Sequence, residues 1–285
     1  MTAAVTAAQR QPKIWSNVRR IASFVVLCAM TAVILLPLLW MLSASVRPES
    51  DIAAHPTTLI PTAITLRHYI DIWKIIPFGQ EFLNTLIYAG GITICSLLFD
   101  SMTGYALARY RFRGRQVLFV LILLALMLPF QVTLIPIYGL LSHLGWINTY
   151  QGLIVPRMTS AFGIFFMRQY FLGLPKDLEA AARVDGASEL RIWWQVMMPL
   201  ARPALLTLGL FHLIYNWNDL LWPLVFTLGP AKQTLPVGLS MFNGEHAPQY
   251  GLLMAGSLLA LAPMVIAFLL VQRRFVEGIV TTGLK

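Results

Sequence analysis

From Ile21 to Leu42 the chain runs for 22 residues without a charged side chain. A hydrocarbon core about 30 Å thick is crossed by roughly 20 apolar helical residues, each rising about 1.5 Å. Five more runs of similar length follow, at about 82–105, 117–138, 150–172, 203–226 and 250–272. Lipid offers no partner to an unpaired backbone amide, so such runs predict helices. The fold class is therefore an all-α membrane protein with six transmembrane helices. Composition agrees: 12% of residues are charged, against roughly 25% in soluble domains. Pro129 and Pro136 in the third run, and Gly251 and Gly256 in the sixth, are compatible with spanning, because neighbouring helices can re-satisfy the freed groups. The first run exceeds the roughly 7 to 15 apolar residues of a secretory leader, so a retained anchor is predicted even though Ser43, Ala44 and Ser45 have the size of a cleavage site.

Basic residues set the orientation, since loops rich in Lys and Arg stay on the cytoplasmic side. Arg10, Lys13, Arg19 and Arg20 precede the first run, Arg109, Arg111, Arg113 and Arg115 follow the second, and Arg168, Lys176, Arg183, Arg191 and Arg202 surround the loop between the fourth and fifth. With Arg273, Arg274 and Lys285 after the sixth, 16 of the 21 basic residues fall on one side, against Arg47, Arg67, Lys74 and Lys232 on the other. Both termini are predicted cytoplasmic. The expected organisation is a tail at 1–20, a six-span membrane domain at 21–272 and a tail at 273–285. The net charge of +9 is scattered beside apolar runs rather than gathered into a basic face, which argues against nucleic acid and for topology. Cys28 and Cys95 fall within spans, favouring buried thiols over a disulfide or metal site; no metal is expected.

One cytoplasmic loop, at about 173–202, is unusually polar. Pro175 suits a first helical turn, Asp177 and Glu179 suit the positive end of a helix dipole, and Gly186 suits a left-handed stop, so a helix is predicted over about 175–185. A second is predicted from Ser188 as N-cap, with Leu190, Trp193, Trp194 and Met197 as an apolar stripe, until Pro199 interrupts it. Such a helix, Gly turn, helix unit fits either an amphipathic pair lying on headgroups or a docking element whose small residues Ala180, Ala181 and Ala182 admit another protein closely.

Polar groups at membrane depth are functional candidates by default. His212, Asn216, Asn218 and Asp219 lie in the fifth run, where interhelical hydrogen bonding is the plainer alternative for the His and the two Asn; Trp217 and Trp222 read as packing or interfacial anchors. Arg157 lies seven residues in from Tyr150, and Asp219 seven in from Phe226, so both sit about 10 Å deep from the same outer face. Matching depth predicts that they pair or share a wet cavity open towards the outer face. The bland alternative for Arg157 is to snorkel outward alone.

Long ordered motifs carry a resemblance. FFMRQYFLGLPKDLEAAARVDGAS at 165–188 followed by VMMPLARPAL at 196–205 resembles the cytoplasmic loop of binding-protein-dependent ABC importer permeases, type I fold, in which Glu-Ala-Ala precedes a Gly and then Ile-x-Leu-Pro. GYALARYRFRGR at 104–115, MLPFQVTLIPIY at 127–138, WNDLLWPLV at 217–225, TLPVGL at 234–239 and QRRFVEGI at 272–279 are similar to the carbohydrate-uptake branch, the maltose-type second permease. Counting back from Gly186, the family's Glu position is Ala180, and the acid stands at Glu179, a helical rotation of about 100°. Val196 and Met198 stand for the Ile and Leu.

The resemblance implies that this loop is a coupling helix seated on an ATPase subunit, with Glu179, Ala181, Ala182, Asp185, Gly186 and Pro199 as its coupling residues. It implies a second homologous permease, two ATPase subunits that bind ATP and Mg, and an extracytoplasmic solute-binding protein. The solute would be a small carbohydrate or a glycerol-phosphate-type polyol, passing Arg157, Asn216, Asn218 and Asp219. The setting would be a bacterial inner membrane, with lipid around the spans. No G-x-x-x-x-G-K-[ST] phosphate loop occurs, so ATP would not be split here and no cofactor is expected on this chain. An ATP-independent transporter or channel would have no use for the coupling loop, and an anchored scaffold none for intramembrane polar residues.

Overall fold

The computed structural model describes residues 13–243 and 249–282, and among these there is no β-strand. Arg10 and Lys285 lie outside the described residues, as do the side chains of Lys13, Arg273 and Arg274. The helices are α1 (Lys13–Ser45), α2 (Glu49–Ala54), α3 (Arg67–Ile75), α4 (Phe78–Arg109), α5 (Arg115–Leu126), α6 (Phe130–His143) and α7 (Tyr150–Ile154). After a 3-10 turn at Val155–Arg157 come α8 (Ala161–Gly173), α9 (Asp177–Val184), α10 (Glu189–Arg191), a π turn at Ile192–Met197 and α11 (Met198–Leu200). The chain continues through α12 (Arg202–Trp217), α13 (Leu221–Phe226), α14 (Leu235–Ser240) and α15 (Tyr250–Thr282).

Among the described residues three helices are long and apolar enough to cross a membrane, at Arg19–Ser45, Phe78–Arg109 and Tyr250–Gln272, and up to five spans result if each of two bent pairs counts as one. Of the six apolar runs expected to span, the third, fourth and fifth are broken. The third turns by 100° between α5 and α6, just before Pro129, whose ring drives the preceding residue out of helical conformation. Pro136, by contrast, is carried inside α6 as expected. The fourth stops at 158–160 and restarts at Ser160, whose hydroxyl accepts from the Gly163 N–H. The fifth stops at 218–220, where Asn218 and Asp219 precede α13. Residues 273–282, expected in a tail, prolong α15.

α4 is the central helix, with α8 and α12 packed along it. The first crossing is close at Gly104: a Cβ there would stand 2.8 Å from the Arg168 backbone nitrogen. α1 packs on α15 and leaves Phe24, Val33 and Ile34 exposed, as a lipid-facing helix would. Where α1 ends, Ala44 and Ser45 are buried, and the Tyr69 hydroxyl donates to Ser45 Oγ. Arg47 is fully buried too. It donates to Asp51 Oδ2 at 2.6 Å and to the carbonyls of Asp51, His55 and Thr58, so the desolvation of its guanidinium is offset donor by donor.

Candidate functional site

The loop between α8 and α12 is built around Gly186, which has φ +77°. Gly186 N–H donates to Arg183 O and Ala187 N–H to Ala182 O, the paired bonds of a Schellman stop. The sequence expectation of a helix, a left-handed Gly and a second helix therefore holds in outline. Ser188 occupies the N-cap position, but its side chain makes no capping bond. The second helix also winds differently from the expectation. Its middle is a π turn, and hydrogen bonds that skip five residues rotate the buried face relative to an α-helix. Trp193 and Met197 stay inside, Ile192 joins them, and the expected stripe members Leu190 and Trp194 turn outward, 65% and 55% exposed. Pro199 does not end the helix; it sits in α11, and the 81° bend follows that helix, before α12.

Ile192, Trp193 and Met197 pack with Tyr105, Met167, Phe171 and Leu208, so the loop sits on the joined ends of α4, α8 and α12. Glu179 is 3% exposed and points inward. It pairs with Arg109 at the end of α4, Nε to Oε1 2.7 Å, while Arg109 Nη2 donates to Leu174 O at 2.7 Å. Arg183 lies 3.6 Å from Glu179 and binds Glu189 through two donors, at 2.7 and 3.1 Å. Four charges of alternating sign thus link α4, α9 and α10. The hydrogen bond from Arg183 holds the Glu189 carboxyl below its ordinary range. The opposite side of the unit is apolar and open: Val184 is 88% exposed, and Leu178, Ala180, Ala181 and Leu190 are exposed with it. Ala182 is half-buried, whereas Asp185 and Pro199 are exposed.

The second constellation joins α4, the 3-10 turn after α7 and the break after α12. Arg157 and Asp219 form an ion pair, Arg157 Nη1 also donates to the Tyr88 hydroxyl at 2.8 Å, and that hydroxyl donates to Asp219 Oδ2 at 2.7 Å. The guanidinium lies over the rings of Tyr215 and Trp222, at 5.5 and 5.4 Å, where their negative faces favour a cation. The structure thus brings together the two charges that depth had matched. Asn216 and Asn218 do not join them: each spends its amide on the carbonyl four residues earlier, His212 and Ile214 respectively. Asn218 instead lines a mostly apolar cavity of about 730 Å³ between α1, α12, α14 and α15. Trp217 and Trp222 are buried, as packing residues would be.

Sequence reading missed Tyr88, a member of the second site, and Asp100, which lies outside both. Tyr88 carried no signal, since an aromatic in an apolar run is ordinary. Asp100 did carry one, a lone acid inside the second run, and it is fully buried: its carboxylate accepts from the Thr159 hydroxyl at 2.6 Å, the Ser160 N–H at 2.9 Å and the Ser160 hydroxyl at 3.1 Å.

Residues 100–280 match the family described as binding-protein-dependent transport system inner membrane component. The arabinooligosaccharides transport system permease protein AraQ of Halalkalibacterium halodurans is 39% identical over 252 residues, covering 87% of this chain and 90% of that relative. The sn-glycerol-3-phosphate transport system permease protein UgpE of Yersinia pestis is 36% identical over 255 residues, covering 87% of this chain and 91% of that one. A chain from the crystal structure of a bacterial ABC transporter involved in the import of the acidic polysaccharide alginate superposes with a TM-score of 0.82 at 26% identity, over 94% of this chain and all of that one.

Proposed function

The chain belongs to the family of binding-protein-dependent transport system inner membrane components, and on that premise we propose that it forms, with a second homologous permease, the path of an ATP-driven importer. The solute is a carbohydrate or a phosphorylated polyol, the classes in which its relatives are named, delivered by an extracytoplasmic binding protein. The chain is not itself an enzyme; two separate ATPase subunits bind ATP with Mg and split it. Its six apolar segments, three of them broken, make six crossings of a bacterial inner membrane with both termini inside. Arg157 and Asp219 flank the outer part of the path, where a neutralised pair at membrane depth leaves polar groups available to a hydroxylated solute at lower cost than two lone charges.

One observation carries the ATP-driven reading: Glu179 is turned inward onto Arg109, while Val184 is almost wholly exposed together with Leu178, Ala180, Ala181 and Leu190. An amphipathic pair resting on headgroups would ring its apolar face with free Lys and Arg, whereas Arg183 is engaged by Glu189, Arg191 by Gln195, Arg109 is buried, and the exposed charges include the acids Asp177 and Asp185 beside Lys176. The outward face is the seat for an ATPase subunit, and coupling residues act either there, as Ala181 does, or by holding the unit in shape, as Glu179, Ala182, Asp185 and Gly186 do. The test is recovery of ATPase subunits with the affinity-tagged chain. Val184→Asp places a charge where an apolar contact forms, which should lower recovery about tenfold or more. Undiminished recovery would return the loop to the headgroup reading.

A further inference from the structure

Asp100 belongs to no site described so far, yet it is the only carboxylate in the apolar window from 82 to 105 and it is completely buried. Its two oxygens reach two elements besides α4 itself. Oδ1 accepts from Thr159 Oγ1 and the Ser160 N–H, Oδ2 accepts from Ser160 Oγ, and His212 Nε2 on α12 lies 3.3 Å from Oδ2. The side chain therefore fastens the break at 158–160 to α4 and α12 together. Space for it has been left on α8: a Cβ on Gly163 would fall 1.9 Å from Oδ2.

This break follows directly on Arg157. A non-helical stretch within a span lacks the backbone ladder that fixes a helix, so its position is set by whatever side chains hold it. The elements that converge on Asp100 are also those that converge on Arg157: α4 supplies Asp100 and Tyr88, α12 supplies His212 and leads into Asp219, and residues 157–160 supply the rest. On α4 the two levels are twelve residues apart, about 18 Å along the helix.

We propose that Asp100 is a positioning residue for Arg157: by clamping Thr159 and Ser160 it presents the guanidinium to Asp219 and Tyr88. The role assigned to that pair in solute passage rests on the function proposed above; the clamp itself is a statement about geometry. Packing alone would not require a carboxylate here, since an apolar side chain of similar volume fills space without needing three donors.

A double-mutant cycle on the purified permease–ATPase assembly in detergent tests this without any solute. The melting temperature is measured for Asp219→Asn, for Asp100→Asn and for the two together. Sites this far apart ordinarily act additively. If Asp100 positions Arg157, Asp219→Asn should lower the melting temperature clearly in the parent and by about half as much or less once Asp100 is changed. Full additivity would overturn the proposal. Should Asp100→Asn fail to assemble, Thr159→Val removes one donor to the carboxylate and should show the same non-additivity; additivity there overturns it equally. Uptake by Arg157→Gln bears separately on the path: normal uptake would remove Arg157 from the route while leaving the clamp to be judged by the cycle.

Discussion

Replacing Glu179 by Ala isolates the buried pair that fastens the loop to α4. Glu179 and Arg109 have side chains only 4% and 2% exposed, so water does not screen them and cannot replace the lost partner. After the change Arg109 keeps Leu174 O and loses its counter-charge, a situation that costs about 3 to 5 kcal/mol when one member of a buried pair is removed. α9 has little with which to absorb such a loss, because Glu179 is its one fully buried residue. The loop should therefore loosen locally while Ile192, Trp193 and Met197 still hold the π turn in place. Limited proteolysis of the assembled transporter reads this directly: cleavage between Lys176 and Arg183 should accelerate by about tenfold or more, and uptake per ATP hydrolysed should fall. Ala180→Glu adds an acid at an exposed position and should change neither. Equal protection of the parent and Glu179→Ala would refute the reasoning, as would recovery of ATPase subunits falling for Glu179→Ala while the loop stays protected, since that would make Glu179 a docking contact.

Two further outcomes follow from the same physics. At Gly186 a Cβ would meet nothing within 4 Å, so Gly186→Val should act through backbone strain alone, about 1 to 3 kcal/mol, and Gly186→Asn, which tolerates positive φ, should lose much less uptake; equal losses would point to a steric role instead. The hydrogen bond from Arg47 holds Asp51 at about 2, below the ordinary 3.8, so its contribution to stability is complete above about pH 4 and fades as pH falls towards 2; amide exchange across 47–58 should rise over that window and the rise should vanish in Asp51→Asn.

How much of this was legible in the sequence differs by feature. The loop was, because Gly186 and the acids of its first turn are local signals whose mechanism acts within a few residues. The pairing of Arg157 with Asp219 was, because depth in a membrane is a coordinate that residue counting supplies. What escaped depends on non-local partners. Glu179 looked like a surface acid from its own helix, and only Arg109, seventy residues earlier, explains its burial. Asp100 was averaged away inside an apolar window, its partners lying at 159, 160 and 212. The breaks at 158–160 and 218–220 have no Pro within them and pass for continuous spans by hydropathy. Arg47 counted as an outer-loop charge, although it serves as an internal fastener with four oxygen partners.

Those breaks bear on how the subunit comes to exist at all. Uncoiled backbone is tolerated at membrane depth only against protein or water, and at the bend before Pro129 the residues Met127 and Leu128 stand 77% and 61% exposed on the lone chain. A solitary copy would thus present this bend to whatever surrounds it until something covered it. If the second permease proposed above is what covers it, cells making this polypeptide without that partner should clear it quickly, and its half-life should track the partner's supply.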